Sequence, residues 1–229
     1  MADDSSTRFR ETALVVRRGF ESGAVLGLRL PWVEIHAREA GAPDEDLSGI
    51  GDLALFGEHP LVGGLSGLAG LKLPTGEEKE SPRPGVIPPS LLQVGTGTFD
   101  PFVGLRWVTA EDGVMWSASG IWQFPLGESD AELKPGQVLQ LQAGGAYALN
   151  EEWSAGLGVE AMFRGKDQLQ GADLGMTGSS IWSVTPSLAW ALSDHTQLDL
   201  LARIPVDTQV DHVQVVPGPL FLVGVTWRF

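Results

Sequence analysis

The stretch Phe221-Leu222-Val223-Gly224-Val225-Thr226-Trp227-Arg228-Phe229 decides how the rest of the chain is read. Phe221, Val223, Val225, Trp227 and Phe229 recur at period two, the period of a β-strand, so all five side chains leave one face. A strand with one wholly apolar face rests it either on the core of a soluble β-protein or against lipid. The segment alone fits both, and the other strands must distinguish them.

Bulk composition narrows the field. The 229 residues suffice for one large β domain or two small ones. Hydrophobic residues make up 43% and charged residues 19%, which excludes general disorder. No run of about 18 apolar residues is present, so no membrane-spanning helix is expected. Thirty glycines weaken helices but suit small-faced strands and turns. A formal charge of -14 argues against nucleic acid as a partner. The absence of cysteine removes disulfides, thiolate metal sites and thiol nucleophiles together. The start, Met1-Ala2-Asp3-Asp4-Ser5-Ser6, is polar and acidic and carries no secretory signal. Either the protein is cytosolic or a signal has been removed, and the last strand favours the second.

Turn and loop residues cut the chain into eleven strand-like segments, at 8–18, 24–36, 50–58, 63–73, 98–108, 114–125, 137–148, 152–164, 181–192, 196–206 and 219–229. Most are about ten residues long, enough for a tilted strand to cross a bilayer. Short connections (Gly19 to Gly23, His59 to Val62, Thr109 to Gly113, Asn150 to Glu151, Ser193 to His195) alternate with long ones (Ala37 to Gly49, Pro74 to Gly97, Leu126 to Gly136, Gly165 to Ser180, Asp207 to Gly218). Strict alternation puts tight turns at one end and loops at the other, as in transmembrane barrels.

The two faces of the later strands differ in kind. Trp153, Ala155, Leu157, Val159, Ala161 and Phe163 oppose Ser154, Gly156, Gly158, Glu160 and Arg164. Trp182, Val184, Leu188, Trp190 and Leu192 oppose Ser183, Thr185, Ser187 and Ala189. A soluble barrel would show water a face rich in Lys and Glu; here the second face is small and weakly polar, which suits a crowded interior. Trp107, Trp116, Trp153, Trp190 and Trp227 fall at the turn end of their strands and Trp32, Trp122 and Trp182 nearer the loop end, two tiers consistent with interfacial girdles. The expected fold is all-β: residues 1–229 as one closed antiparallel transmembrane β-barrel of about twelve strands, with short periplasmic turns, long extracellular loops and a flexible 1–7. Eleven segments break the even parity of bacterial barrels, so a twelfth strand, whose position the sequence leaves open, is expected.

Three motifs in order, Gly49-Ile50-Gly51-Asp52-Leu53, Leu71-Lys72-Leu73-Pro74-Thr75-Gly76 and Gly95-Thr96-Gly97-Thr98-Phe99-Asp100, follow Arg17-Arg18-Gly19-Phe20 and Leu30-Pro31-Trp32. Together they resemble the "MetA-pathway of phenol degradation" outer-membrane family over roughly residues 13 to 229. The resemblance implies an outer-membrane channel for passive passage of small molecules, hydrophobic or aromatic ones among them. The pattern Gly224, Trp227 and terminal Phe229, on the face shared by Phe221, Val223 and Val225, resembles the C-terminal assembly signal of such barrels, although Leu222 stands where that signal usually has a polar residue. It implies the barrel assembly machinery as a partner, alongside outer-membrane lipid and lipopolysaccharide. Pro74, Pro82, Pro84, Pro88 and Pro89 stiffen the longest loop, which either folds over the lumen or stays at the surface.

Residues for catalysis are poorly placed. No pair among His36, His59, His195 and His212 has metal-ligand spacing, and Ser180 with His212 lacks any local hydrolase signature. Gly165-Lys166 and Gly95-Thr96-Gly97 are incomplete as phosphate or dinucleotide loops. No enzyme activity, cofactor or metal is expected. The face assignment directs Arg29, Lys72, Arg106, Arg164, Arg203 and Arg228 into the lumen with Asp52, Asp100, Glu160 and Asp199. Such charges either form a polar pathway for solutes or a ladder of ion pairs that stiffens and fills a narrow barrel. Acid concentrates in the loops (Glu39, Asp44, Glu45, Asp46, Glu77, Glu78, Glu80, Glu128, Asp130, Glu132, Asp167, Asp173, Asp207, Asp211), where it serves solubility or holds divalent cations shared with lipopolysaccharide.

Overall fold

A computed structural model of the chain describes residues 6–38, 45–77, 93–175, 177–210 and 218–228. The strands are β1 (Ser6–Gly19), β2 (Val25–Arg38), β3 (Glu45–Ile50), β4 (Leu53–Pro60), β5 (Leu65–Leu73), β6 (Asp100–Glu111), β7 (Val114–Gln123), β8 (Leu133–Lys134), β9 (Val138–Ala148), β10 (Trp153–Arg164), β11 (Gln168–Leu169), β12 (Ala172–Asp173), β13 (Ser179–Ser193), β14 (Thr196–Val210) and β15 (Leu220–Trp227). One antiparallel sheet runs β1-β2-β4-β5-β6-β7-β9-β10-β13-β14-β15, with β3 also paired to β2.

β3 and β4 share one position: Trp32 to Ala37 pair with β3 and Val25 to Arg29 pair with β4, the two being separated by Gly51 and Asp52. The sheet therefore has eleven positions, matching the eleven segments. The expected Ala37–Gly49 loop is corrected, because β2 runs on to Arg38 and Glu45–Ile50 is strand. β3 is acidic and shows no alternation; main-chain pairing to β2 and the packing of Leu47 on Val33, Ile35 and Val94 hold it. A second correction concerns the loops after β7 and β10. Each contributes to a small sheet, β12-β11-β8, around the fully buried Leu133. Among the described pairings β1 and β15 are edges, so the sheet is open between them rather than closed.

Burial is inverted relative to a water-soluble sheet. Val33, Ile35, Val94, Leu133, Ala161 and Ile181 are the buried apolar residues, whereas Asp52, Thr98, Asp100, Glu160, Asp167, Ser183 and Thr185 are buried polar ones. Leu105, Leu157, Val159, Val206, Val223 and Val225 are exposed. A single layer buries only the face it curls around, and here that is the polar one. The register places all eight tryptophans on the opposite, outer face: Trp107 opposes Ala118, Trp116 opposes Gly145, and Trp153 opposes Trp190 in a parallel stack at 4.9 Å. Trp182 and Phe163 meet at right angles with ring centres 6.1 Å apart, and Trp122 donates its indole N–H to Gln137 Oε1 at 3.3 Å.

Candidate functional site: the polar inner wall

The three motifs, far apart in sequence, meet at the loop end of β4 to β6. Register aligns Ala54, Lys72 and Asp100 across these strands. Lys72 Nζ lies 2.9 Å from Asp52 Oδ2, 2.6 Å from Asp100 Oδ2 and 2.5 Å from Thr96 Oγ1. Asp52 accepts the Gly76 N–H at 3.0 Å and both the N–H and hydroxyl of Thr96 at 2.9 Å. Asp100 accepts the Thr98 hydroxyl at 2.6 Å and the Gln123 amide at 3.0 Å. Thr75 Oγ1 accepts the Leu53 N–H at 2.9 Å and donates to the Gly51 carbonyl at 3.3 Å. Burial of two carboxylates is tolerable because each has several donors and a shared cation.

This knot folds the end of the longest loop onto the inner wall. Val94 is buried against Val33 and Ile35, and a Cβ on Gly95 would stand 2.5 Å from the Gly76 carbonyl oxygen. Only two glycines let those backbones touch. Of the five loop prolines, Pro74 ends β5, whereas Pro82, Pro84, Pro88 and Pro89 lie outside the described residues.

A second network crosses β9, β10 and β14. Arg203 Nη2 lies 2.9 Å from Glu160 Oε2, and Gln140 donates to Glu160 Oε1 at 3.1 Å. At the loop end Arg164 Nη2 meets the fully buried Asp167 at 2.9 Å, and Asp167 accepts the Gly136 N–H at 2.8 Å and donates its own N–H to Thr177 Oγ1. More exposed pairs also lie on the wall: Arg106 with Glu58 at 3.6 Å, and Arg29 hydrogen-bonded to Glu11. Asp199 takes the Gln197 amide at 2.6 Å and the Thr226 hydroxyl at 3.4 Å, while Arg228 donates its main-chain N–H to the His195 carbonyl at 2.8 Å.

Several partners lie outside the charges expected to line the lumen. Glu11 and Glu58 share the inner face with the arginines they meet, and their strand positions signal this. Thr96, Thr98, Gln123 and Gln140 carry no such signal, being neutral residues whose role depends on the carboxylate beside them. In the last strand, Phe221, Val223, Val225 and Trp227 are exposed on the outer face of β15, with Gly224 opposite Asp199. Phe229 and His212 lie outside the described residues, as do Glu39, Asp44, Glu78, Glu80 and Asp211 of the acidic loops. Asn150, in the β9–β10 turn, accepts the N–H groups of Glu152 and Trp153 and is structural. Among the described residues no group of three or more His, Cys, Asp or Glu is placed to hold a metal ion.

Residues 6–214 match the family described as "Putative MetA-pathway of phenol degradation". The chain belongs to that family. No protein with a curated description matches it in sequence. Among solved structures it is similar to an outer-membrane channel from Pseudomonas putida F1, at 15% identity and a TM-score of 0.73, covering 97% of this chain and 84% of that one. At that identity the likeness is one of fold, a barrel-like antiparallel sheet.

Proposed function

We propose that the chain forms an outer-membrane channel through which small molecules, hydrophobic or aromatic ones among them, pass without chemical change. The observation that carries this reading is the inverted sheet, with indoles and large aliphatic side chains exposed outside and Asp100, Glu160, Ser183 and Thr185 buried within. The family, and the channel it resembles in fold, support it. β1 and β15 both run toward the short-turn end, so direct contact between them would be parallel. One further strand running the other way, the twelfth, closes the barrel in antiparallel fashion and restores even parity. Short turns then face the periplasm and loops the exterior. Lipopolysaccharide surrounds the loops, and the barrel assembly machinery reads the β15 face. Among the described residues, the wall's buried charged groups are taken up in ion pairs and hydrogen bonds, which supports passage without chemistry.

A second reading, a closed barrel without conductance, draws on the pairing of Arg29, Lys72, Arg106, Arg164 and Arg203 with inner-wall or loop acids. Reconstitution into planar bilayers separates the two. Conductance and uptake of an aromatic probe above protein-free membranes are expected, with ion selectivity altered in the Arg106→Ala, Arg164→Ala double variant. Conductance and uptake at the protein-free level would remove the channel reading.

A further inference from the structure

One row of the inner wall differs from the rest. Register aligns Arg17, Gly27, Phe56, Gly70 and Phe102 across β1, β2, β4, β5 and β6. Each phenylalanine leans over the glycine on the preceding strand. A Cβ on Gly27 would stand 2.2 Å from Phe56 Cζ, and one on Gly70 2.2 Å from Phe102 Cζ. The glycines thus let both rings lie along the wall, half-buried, as one apolar row between the Lys72 knot and the Arg106–Glu58 pair. The row ends in a cation, with Arg17 Cζ 5.6 Å from the centre of the Phe56 ring. Among the described residues, Arg17 has no carboxylate within ion-pair distance, unlike Arg29, Lys72, Arg106, Arg164 and Arg203 on the same wall.

We propose that this row is a binding site for small aromatic carboxylates, the ring resting on Phe56 and Phe102 and the carboxylate held by Arg17. The chemistry follows from the parts. Aromatic rings attract a flat ring through offset or edge contacts, and the exposed planar guanidinium matches a carboxylate with two parallel hydrogen bonds. An arginine already over a ring face keeps its charge available while its position is set. Neutral aromatics use half of the site and aliphatic carboxylates the other half. The site deepens the channel reading and rests on the same inner wall, yet binding is measurable without transport.

The test is binding of benzoate, benzyl alcohol and acetate to the full chain in detergent micelles, read by saturation-transfer NMR. Benzoate is expected to bind more tightly than either partial analogue. Arg17→Gln should weaken benzoate about tenfold, the size of a lost charge-assisted contact, with Arg17→Lys between. Phe56→Leu with Phe102→Leu should erase the advantage of benzoate over acetate. Arg18→Gln, on the outer face over Phe20, should leave benzoate affinity unchanged and controls for folding and net charge. Equal affinity for benzoate and benzyl alcohol, or benzoate affinity indifferent to Arg17→Gln, overturns the proposal. Benzoate binding by a protein that fails to conduct would remove the channel reading and leave the site standing.

Discussion

Two ends of the same wall, on the same three strands, use the same chemistry to different effect. At the loop end Lys72 is 18% exposed and sits between Asp52 at 5% and Asp100 at 1%. Toward the turn end Arg106 is 50% exposed and reaches Glu58, itself 22% exposed, only at 3.6 Å. The first cluster also binds main chain, since Asp52 receives the N–H groups of Gly76 and Thr96. The second binds side chains alone. A buried cluster that grips backbone fixes the path of a loop, whereas an exposed pair sets local charge and little else.

Stability measured by urea unfolding in lipid vesicles should rank the two ends. Lys72→Met leaves two buried carboxylates facing each other and should cost about 3–5 kcal/mol, the usual penalty for breaking a buried pair on one side. Glu160→Gln removes one charge from a network whose arginine is 31% exposed, and should cost about 1–3 kcal/mol. Glu58→Gln should cost no more than about 1 kcal/mol, with solvent screening the lost pair. If Lys72→Met and Glu58→Gln proved equal, burial would not be what separates the two ends. Protease cleavage near Thr96 should increase in Lys72→Met and stay at the wild-type level in Glu58→Gln, because only the first loosens the loop.

Much of the strand pattern was open to a reader of the sequence. β10, β13, β14 and β15 alternate cleanly because an apolar outer face and a crowded interior take opposite side chains at neighbouring positions. β3 escaped because Glu45–Ile50 has no alternation to read; its partner β2 and the cluster around Val94 decide its structure. The two-residue strands β8, β11 and β12 are too short to carry a period. The knot escaped for a different reason. Each motif reads locally as a turn or strand end, and only the register of β4, β5 and β6 brings Asp52, Lys72, Thr96 and Asp100 to one point. Gly27 and Gly70 did leave a signal, since a glycine inside a strand marks a close approach, but the approaching ring is named only by the register.

The tryptophans report directly which face of the sheet meets lipid. All eight lie on the outer face, and none is expected to line the polar wall. Tryptophan fluorescence of the protein in bilayers containing brominated acyl chains should be strongly quenched, while aqueous acrylamide quenches it only weakly. Strong quenching by acrylamide with none from brominated lipid would contradict the inverted sheet and return the chain to the soluble β-proteins.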